Sequence, residues 1–247
     1  MVESNGAQTR EIVYPGQVIS TDPEKIPGRG TIKENGKILS IFIGIKEEYG
    51  KYLNVVPLRG QIYTATVGDK IIGKIIERTP VKWILDINSN VEAILKPSDV
   101  MEKEKIETKS KRLSKREEET EIMKLFNVGD VLIVKVISGD RLSTPLLTTI
   151  GEGLGKLNDG IVLQIEVPKI PRIIGKQGSM INILKKYTNC KIFVAKNGRI
   201  WVRGKTFEYE QLLIEAIYKI EKESHTFKLT DRIEYYLKEE KKKRGLK

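Results

Sequence analysis

The residues best placed to do chemistry are Gly175-Lys176-Gln177-Gly178, a G-x-x-G loop between two apolar-patterned stretches. Neither glycine carries a Cβ, so the backbone can pass very close to a ligand here. A helix starting at the end of the loop adds unpaired N–H groups and the positive end of its dipole. Lys176 puts a mobile cation at the tip. These groups suit the phosphates of a polynucleotide strand better than they suit bond making or breaking. A bare G-x-x-G is usually just a turn, so its surroundings must decide its meaning.

The charge around the loop supports the binding reading. Residues 168–205 contain no Asp or Glu but hold Lys169, Arg172, Lys176, Lys185, Lys186, Lys191, Lys196, Arg199, Arg203 and Lys205. A merely solvated surface interleaves its signs, as residues 101–121 do with seven basic and seven acidic side chains. Several phosphate contacts by such a strip would make affinity strongly salt-dependent. Arg172 and Lys176 lie nearest the loop, and Lys185 and Lys186 lie further along the second helix. The whole chain of 247 residues carries a formal net charge of +11. That surplus favours a polyanionic partner, although a solvated basic surface would also produce it.

Other chemistries find little support. Cys190 and His225 are single, so an intrachain disulfide and a Cys/His zinc cluster are both excluded. Cys190 reads as a core residue. There is no Ser-His-Asp set, no phosphate-binding P-loop and no clustered carboxylate pair of the kind a metal nuclease needs. Asp69, Asp86, Asp130 and Asp140 fall at strand starts or turns and read as structural. No cofactor, metal or catalytic residue is expected. No apolar run is long enough to span a bilayer, and the polar first ten residues lack a signal-peptide core, so a cytoplasmic location is expected.

The elements that must position the loop can be read from pattern and punctuation. Residues 161–167 form a strand and 169–174 a short helix. Ser179 is positioned to cap the helix carrying Met180, Ile181, Leu184 and Tyr187 on one face. Strands at 191–195 and 199–203 meet at the hairpin turn Asn197-Gly198. A long helix from about Thr206 carries Leu212, Leu213, Ala216, Ile217 and Ile220 on one stripe. The order is β-α-loop-α-β-β-α. The tail allows a further helix through Ile233, Tyr236 and Leu237 and is expected to end in a frayed, solvated run, Lys241-Lys242-Lys243-Arg244.

Upstream, Val67-Gly68-Asp69 and Val128-Gly129-Asp130 each open an apolar strand. With strands near 81–87, 93–95 and 146–150 they make about five strands, the number of a small OB-type Greek-key barrel. Residues 101–121 interrupt it as a solvated helix or loop. The first 63 residues hold short β-patterned runs and an Asn35-Gly36 hairpin signal, which reads as a small all-β module. The expected fold is therefore multi-domain, mostly β with an α+β part, divided as 1–63, 64–152 and 153–247.

The motifs carry a resemblance to known families. Ile170-x-x-Ile173-Ile174-Gly175-x-x-Gly178 resembles a type I KH domain. Val67-Gly68-Asp69, Gly73-Lys74-Ile75, Trp83-Ile84-Leu85-Asp86-Ile87 and Ala93-Ile94-Leu95 resemble the S-one RNA-binding barrel. Val13-x-Pro15-Gly16, Gly28-x-Gly30-Thr31 and the Asn35-Gly36 hairpin resemble the N-terminal domain of the Rrp-four family, the RNA-binding cap subunits of the archaeal exosome. The resemblance covers nearly the whole chain, in order. It implies three copies seated on a phosphorolytic hexameric ring by their N-terminal domains, with barrels around the pore and KH domains outside. Single-stranded RNA would be gathered and threaded to active sites that belong to the ring. The implied KH contacts are Arg172, Gly175, Lys176, Gln177, Gly178, Lys185 and Lys186.

The barrel departs from its family's pattern. Val81 and Ile84 stand where stacking aromatics are usual, and Lys96 stands where a histidine is usual. Lys74, Arg78, Lys82, Lys96 and Arg141 could instead line a basic passage, with Trp83 as a possible base stacker or a core tryptophan. A transcription elongation or antitermination factor combines the same modules, but usually with two KH domains. A phosphorolytic ribonuclease places KH before the barrel and needs a large catalytic core.

Overall fold

The computed structural model describes residues 11–57, 62–100, 122–139, 143–224 and 226–246. The chain divides into two compact units, Met1–Gln61 and Ile62–Lys247. The expected helix or loop at 101–121 lies outside the described residues, as do Asp140 and His225.

The first unit is all β. Its strands are β1 (Ile12–Val13), β2 (Val18–Ser20), β3 (Ile26–Pro27), β4 (Thr31–Glu34), β5 (Lys37–Ser40), β6 (Gly44–Tyr49) and β7 (Tyr52–Pro57). They form a four-stranded sheet, β1-β6-β7-β3, and a three-stranded sheet, β2-β5-β4. The β4–β5 hairpin closes through Asn35 and Gly36, both at positive φ, as a tight hairpin turn requires. Val13, Ile19, Ile38, Leu53 and Val55 make the core.

The second unit opens with β8 (Lys70–Thr79), β9 (Lys82–Asp86), β10 (Ala93–Leu95), β11 (Val131–Ser138) and β12 (Leu146–Thr148), with the short β13 (Gly155–Lys156) added beside β11. The pairing runs β8-β9-β10-β12-β11 and returns to β8, so five strands close into an OB-type barrel. The β10–β12 pair is parallel and the other closing pairs are antiparallel. Closure removes the sheet's open edges. Ile71, Ile75, Trp83, Leu85, Leu132 and Leu147 fill the interior. Phe126 closes around Trp83, its ring edge-on at 5.4 Å between centroids, while the Trp83 indole N–H donates to the Phe126 carbonyl at 3.2 Å.

The same unit continues with β14 (Ile161–Gln164), α1 (Ile170–Ile174), α2 (Ser179–Thr188), β15 (Lys191–Val194), β16 (Arg199–Arg203), α3 (Phe207–Lys222) and α4 (Leu229–Lys243). The order β-α-α-β-β-α and the antiparallel sheet β14-β16-β15 are those of a type I KH fold. Leu163, Ile192, Ile200 and Val202 turn one face of this sheet toward Leu184, Leu213 and Ile217 of the helices.

The other sheet face carries Phe193, Ala195 and Trp201, and these pack against Ile72 and Ile133 on the outside of the barrel. The strands are apolar on both faces because both faces are covered. The Asn197-Gly198 turn between β15 and β16 is therefore more than a hairpin. The buried Asn197 amide donates to the carbonyls of Ile72 and Ile87, both at 2.8 Å, and its oxygen accepts from the Ile72 N–H at 3.4 Å. The Asn88 side chain donates to the Asn197 carbonyl at 2.7 Å. Gly198 sits at φ +85°, and a Cβ there would meet the Ile165 carbonyl oxygen at 2.5 Å. Arg199, also buried, donates to the Asp86 carbonyl at 2.7 Å and pairs with the Asp86 carboxylate. Burial alone would raise the Asp86 carboxyl, but the Asn88 N–H and Arg199 overcome it and hold the group below its ordinary range.

The C-terminal end departs from expectation. Helix α4 runs through Lys243, and its frayed end is absent because Leu229, Ile233 and Leu237 bury against α2 and α3. Arg244 ties the last turn to Glu215 of α3. The Tyr236 hydroxyl donates to Glu215 at 3.1 Å, and burial together with that carboxylate pushes the phenol up to about 12. Among the described residues no helix is long and apolar enough to cross a membrane.

Two outcomes are expected from the junction. Replacing Asn197 with Ala takes the side-chain partner from the Ile87 carbonyl and the Ile72 N–H, leaves the Ile72 carbonyl to Arg199 alone, and should lower the unfolding free energy of the second unit by about 2–4 kcal/mol in denaturant titration. Asp86 has a folded pKa below its unfolded value, so its contribution is complete above the unfolded carboxylate range and is lost as pH falls through the lower folded value. Thermal melts on acidification should therefore show a steeper loss for the native chain than for Asp86→Asn.

Candidate nucleic-acid interface

Helix α1 ends where Gly175 leaves helical geometry at φ 75°, ψ 169°. The chain then turns through Gln177 at φ 53° and Gly178 at φ 81° before α2 begins. Two glycines and one tolerated left-handed residue make this reversal possible. At Gly175 the lack of a side chain is a packing requirement as well. A Cβ there would lie 2.5 Å from the Met180 backbone nitrogen and 2.8 Å from its Cβ. The loop backbone thus lies directly on the first turn of α2.

The expected Ser179 cap is not formed. Ser179 is already the first helical residue of α2, Gly178 takes the cap position, and no side chain caps the helix. The Gly178 N–H donates to the Gly175 carbonyl at 3.2 Å and the Ser179 N–H to the Lys176 carbonyl, so these donors are engaged within the loop, and the helix contributes the positive end of its dipole beside it. Lys176 and Gln177 are exposed at the loop tip and Arg172 is half-buried one turn before it. Lys185 and Lys186 sit in the last turn of α2, about 10 Å along the helix from the loop at 1.5 Å per residue.

The acid-free strip is less free in three dimensions than along the chain. Lys196 pairs with Asp69 at 2.6 Å, Arg203 with Asp159 at 3.1 Å, Lys169 with Glu166 at 3.2 Å, and Arg199 with Asp86. Lys186 pairs with Glu234 of α4 at 3.5 Å and lies 5.2 Å from the centre of the Tyr187 ring. The neutralising carboxylates all lie outside the strip, so a charge map along the chain cannot see them. Lys176, Lys185, Lys191 and Lys205 are exposed and have no carboxylate within ion-pair distance among the described residues.

The barrel's expected set does not form one patch. Trp83 is fully buried, so the reading of it as a base stacker is corrected: it is a core tryptophan held by Phe126. Arg141 lies outside the described residues. Lys74 sits on the outer wall across from Asp86, close to the KH junction, where its charge adds to the stabilisation of that carboxylate. Arg78, Lys82 and Lys96 gather at the opposite end of the strands. Arg78 pairs across from Trp83 and donates to Asn127 at 3.1 Å. Extending the β9–β10 register by one residue brings Lys96 alongside Lys82. The carboxylates at strand starts are structural in their contacts: Asp69 accepts from the Tyr63 hydroxyl at 2.9 Å and Asp130 from Lys156 at 2.7 Å.

Several residues that shape the interface were not legible in the sequence. Asn88, Asn197 and Trp201 fix the KH sheet to the barrel, and Glu234 holds Lys186 against α4. The doubly apolar pattern Ile192-Phe193 and Ile200-Trp201-Val202 was the one available signal for a second covered sheet face.

Three family models match the chain in series. They are the exosome RNA binding protein RRP4 N-terminal domain over residues 10–59, the RRP4 S1 domain over 62–138 and the KH domain over 160–219. The exosome complex component Rrp4 of Pyrococcus furiosus is 41% identical over 244 residues, covering 97% of this chain and 88% of the relative. The chain belongs to the exosome Rrp4 family. The Rrp4 component of Methanobrevibacter smithii is 40% identical over 226 residues, covering 92% of this chain and 70% of that one. A crystal structure of a candidate exosome complex RNA-binding protein superposes with a TM-score of 0.63 at 34% identity, covering 74% of this chain and 99% of its own. The Rrp4 family models thus match most of the N-terminal unit and four of the five closing strands of the barrel that precedes the KH loop.

Proposed function

We propose that this chain is a non-catalytic RNA-binding cap subunit of an exosome, working in the cytoplasm. The 153–247 module gathers single-stranded RNA at the KH loop, and the 64–152 barrel contributes a weaker cationic contact. The 1–63 module seats the chain on a phosphorolytic ring, three copies to a ring. RNA 3′ ends then thread to active sites that belong to the ring subunits, and the seated caps stabilise the ring.

The observation that carries the RNA reading is the close approach of Gly175, which has no Cβ, to the first turn of α2, with Lys176 exposed beside it. A backbone phosphate can come close where there is no Cβ, lie at the positive end of the α2 dipole and meet a cation at the same time. None of these contacts reads a base edge, so the grip is expected to be tolerant of sequence. Arg78, Lys82 and Lys96 supply charge at the far barrel end without exposed stacking aromatics, which suits passage of a strand better than tight retention.

The docking role draws on different features. Met1–Gln61 has eight basic and seven acidic residues, whereas Ile62–Lys247 has thirty-six and twenty-six. The first unit therefore offers little attraction to a polyanion. Its four-stranded sheet instead exposes Ile12 and, at its other end, the cross-strand pair Tyr49 and Tyr52, with Tyr14 and Ile43 exposed just beyond the strand ends. An apolar surface on a nearly neutral module suits a protein partner.

Replacing Lys176 and Gln177 with Asp should weaken single-stranded RNA binding at least tenfold and flatten its salt dependence, with the thermal melt unchanged. Unchanged affinity at low salt would remove the loop from the site. Deleting Met1–Gln61 leaves Tyr63 to the barrel core and should abolish co-elution with purified ring subunits while RNA affinity persists. Ring binding that survives the deletion would overturn the docking assignment.

A further inference from the structure

The outward face of α4 has features that its packing role does not use. Its inner face is accounted for by Leu229, Ile233 and Leu237. Several of its charges are also engaged: Arg232 with Glu223, Lys243 with Glu240, Arg244 with Glu215, and Lys241 5.9 Å from the Tyr209 ring centre. Tyr235, Lys238 and Lys242 follow at i, i+3 and i+7 and so share one face, opposite Ile233. Tyr235 is 68% exposed, and Phe227, just before the helix, is 92% exposed. Lys238 and Lys242 are exposed, and neither pairs with a carboxylate among the described residues. Asp231 and Glu239 share the face or its border, so it is not purely cationic.

The position of this face matters as much as its composition. Glu234 of α4 meets both Lys186 at 3.5 Å and the Tyr187 hydroxyl at 2.9 Å, at the end of α2 remote from the glycine loop. Lys238 is one turn beyond Glu234. The exposed face of α4 therefore continues one turn past its contact with the end of α2. Aromatic faces interleaved with unpaired cations are what single strands use when no base is read: the rings stack and the cations meet phosphates.

We propose that the outer face of α4 is a second contact for single-stranded RNA, taking nucleotides that flank those held at the 175–178 loop. Tyr235 and Phe227 supply stacking surfaces, and Lys238 and Lys242 supply phosphate contacts. This rests on the loop reading above and adds to it a binding site of its own.

The test uses the full chain and fluorescent oligouridylates of about five and about fifteen nucleotides, the shorter being enough only for a KH loop. Lys238→Gln with Lys242→Gln should lower affinity for the longer RNA severalfold and reduce its salt slope by about 1.4, the value for two lost phosphate contacts on a single strand. Tyr235→Ala should cost about fivefold or more on the longer RNA. Affinity for the shorter RNA and the thermal melt should not move. Unchanged affinity and slope for the longer RNA would overturn the proposal, including the case in which the variant loses ring co-elution instead. Equal losses on both lengths would overturn it as well, because the lysines would then be acting through the loop. If Lys176→Asp with Gln177→Asp leaves both RNAs unaffected while the α4 variants still lose the longer one, the loop reading falls and the α4 contact stands.

Discussion

The Asn197 side chain, buried against the backbone of two barrel strands, is the interaction on which the rest of the second unit depends. It bonds one N–H and two carbonyls between the barrel and the KH sheet, sharing the Ile72 carbonyl with Arg199. An unmet buried backbone group costs about 1–3 kcal/mol. Asn197 therefore specifies one arrangement of the two modules as well as stabilising it. Around it the Gly198 turn, the Asp86–Arg199 pair and the Phe193–Trp201 face all act across the same seam. The glycine loop is thereby held in a fixed relation to the barrel, although the two lie far apart along the chain.

That seam also changes how the basic residues should be understood. Ten cations without an acid between them suggest a binding strip, but Lys196, Arg199 and Arg203 are paired by carboxylates from earlier in the chain. Arg199 is a structural residue: buried, bonded to a carbonyl and paired with Asp86. What remains available is a smaller set, with Lys176 at the loop and Lys185, Lys191 and Lys205 beyond it. Charge density along the sequence overstates the interface wherever a fold brings distant carboxylates home. Salt dependence would report the smaller set, because only cations free to exchange a counterion for a phosphate contribute to it.

Legibility from sequence followed the range of the interactions involved. The glycine loop, the Asn35-Gly36 and Asn197-Gly198 hairpins and the Val-Gly-Asp strand starts are local, since a turn type dictates its own residues. The five-strand barrel and the KH order followed from periodicity. Trp83 could not be placed, because an alternating strand does not say which face is the inside of a closed barrel. Ser179 has the composition of a cap but stands one position past it, since Gly178 takes that place at positive φ. The end Lys241-Lys242-Lys243-Arg244 reads as frayed because it is wholly cationic, while the pair that anchors it, Arg244 with Glu215, joins residues 29 apart in the chain. The seam and the Glu234–Lys186 pair are long-range and leave almost no local signature.

The distribution of surface types then suggests a division of labour within the chain. A nearly neutral N-terminal unit with exposed aromatic and aliphatic side chains can bury them against protein at little desolvation cost. The second unit carries almost all of the surplus positive charge and presents lysines outward, alongside exposed rings such as Phe207, Phe227 and Tyr235. Had the charge been spread evenly, the first unit would attract polyanions as well, and a strand would meet two competing destinations. Concentrating it on one unit gives a nucleic acid a single region of attraction. Within that region the glycine geometry at 175–178 offers close backbone approach beside the start of α2 and the exposed Lys176.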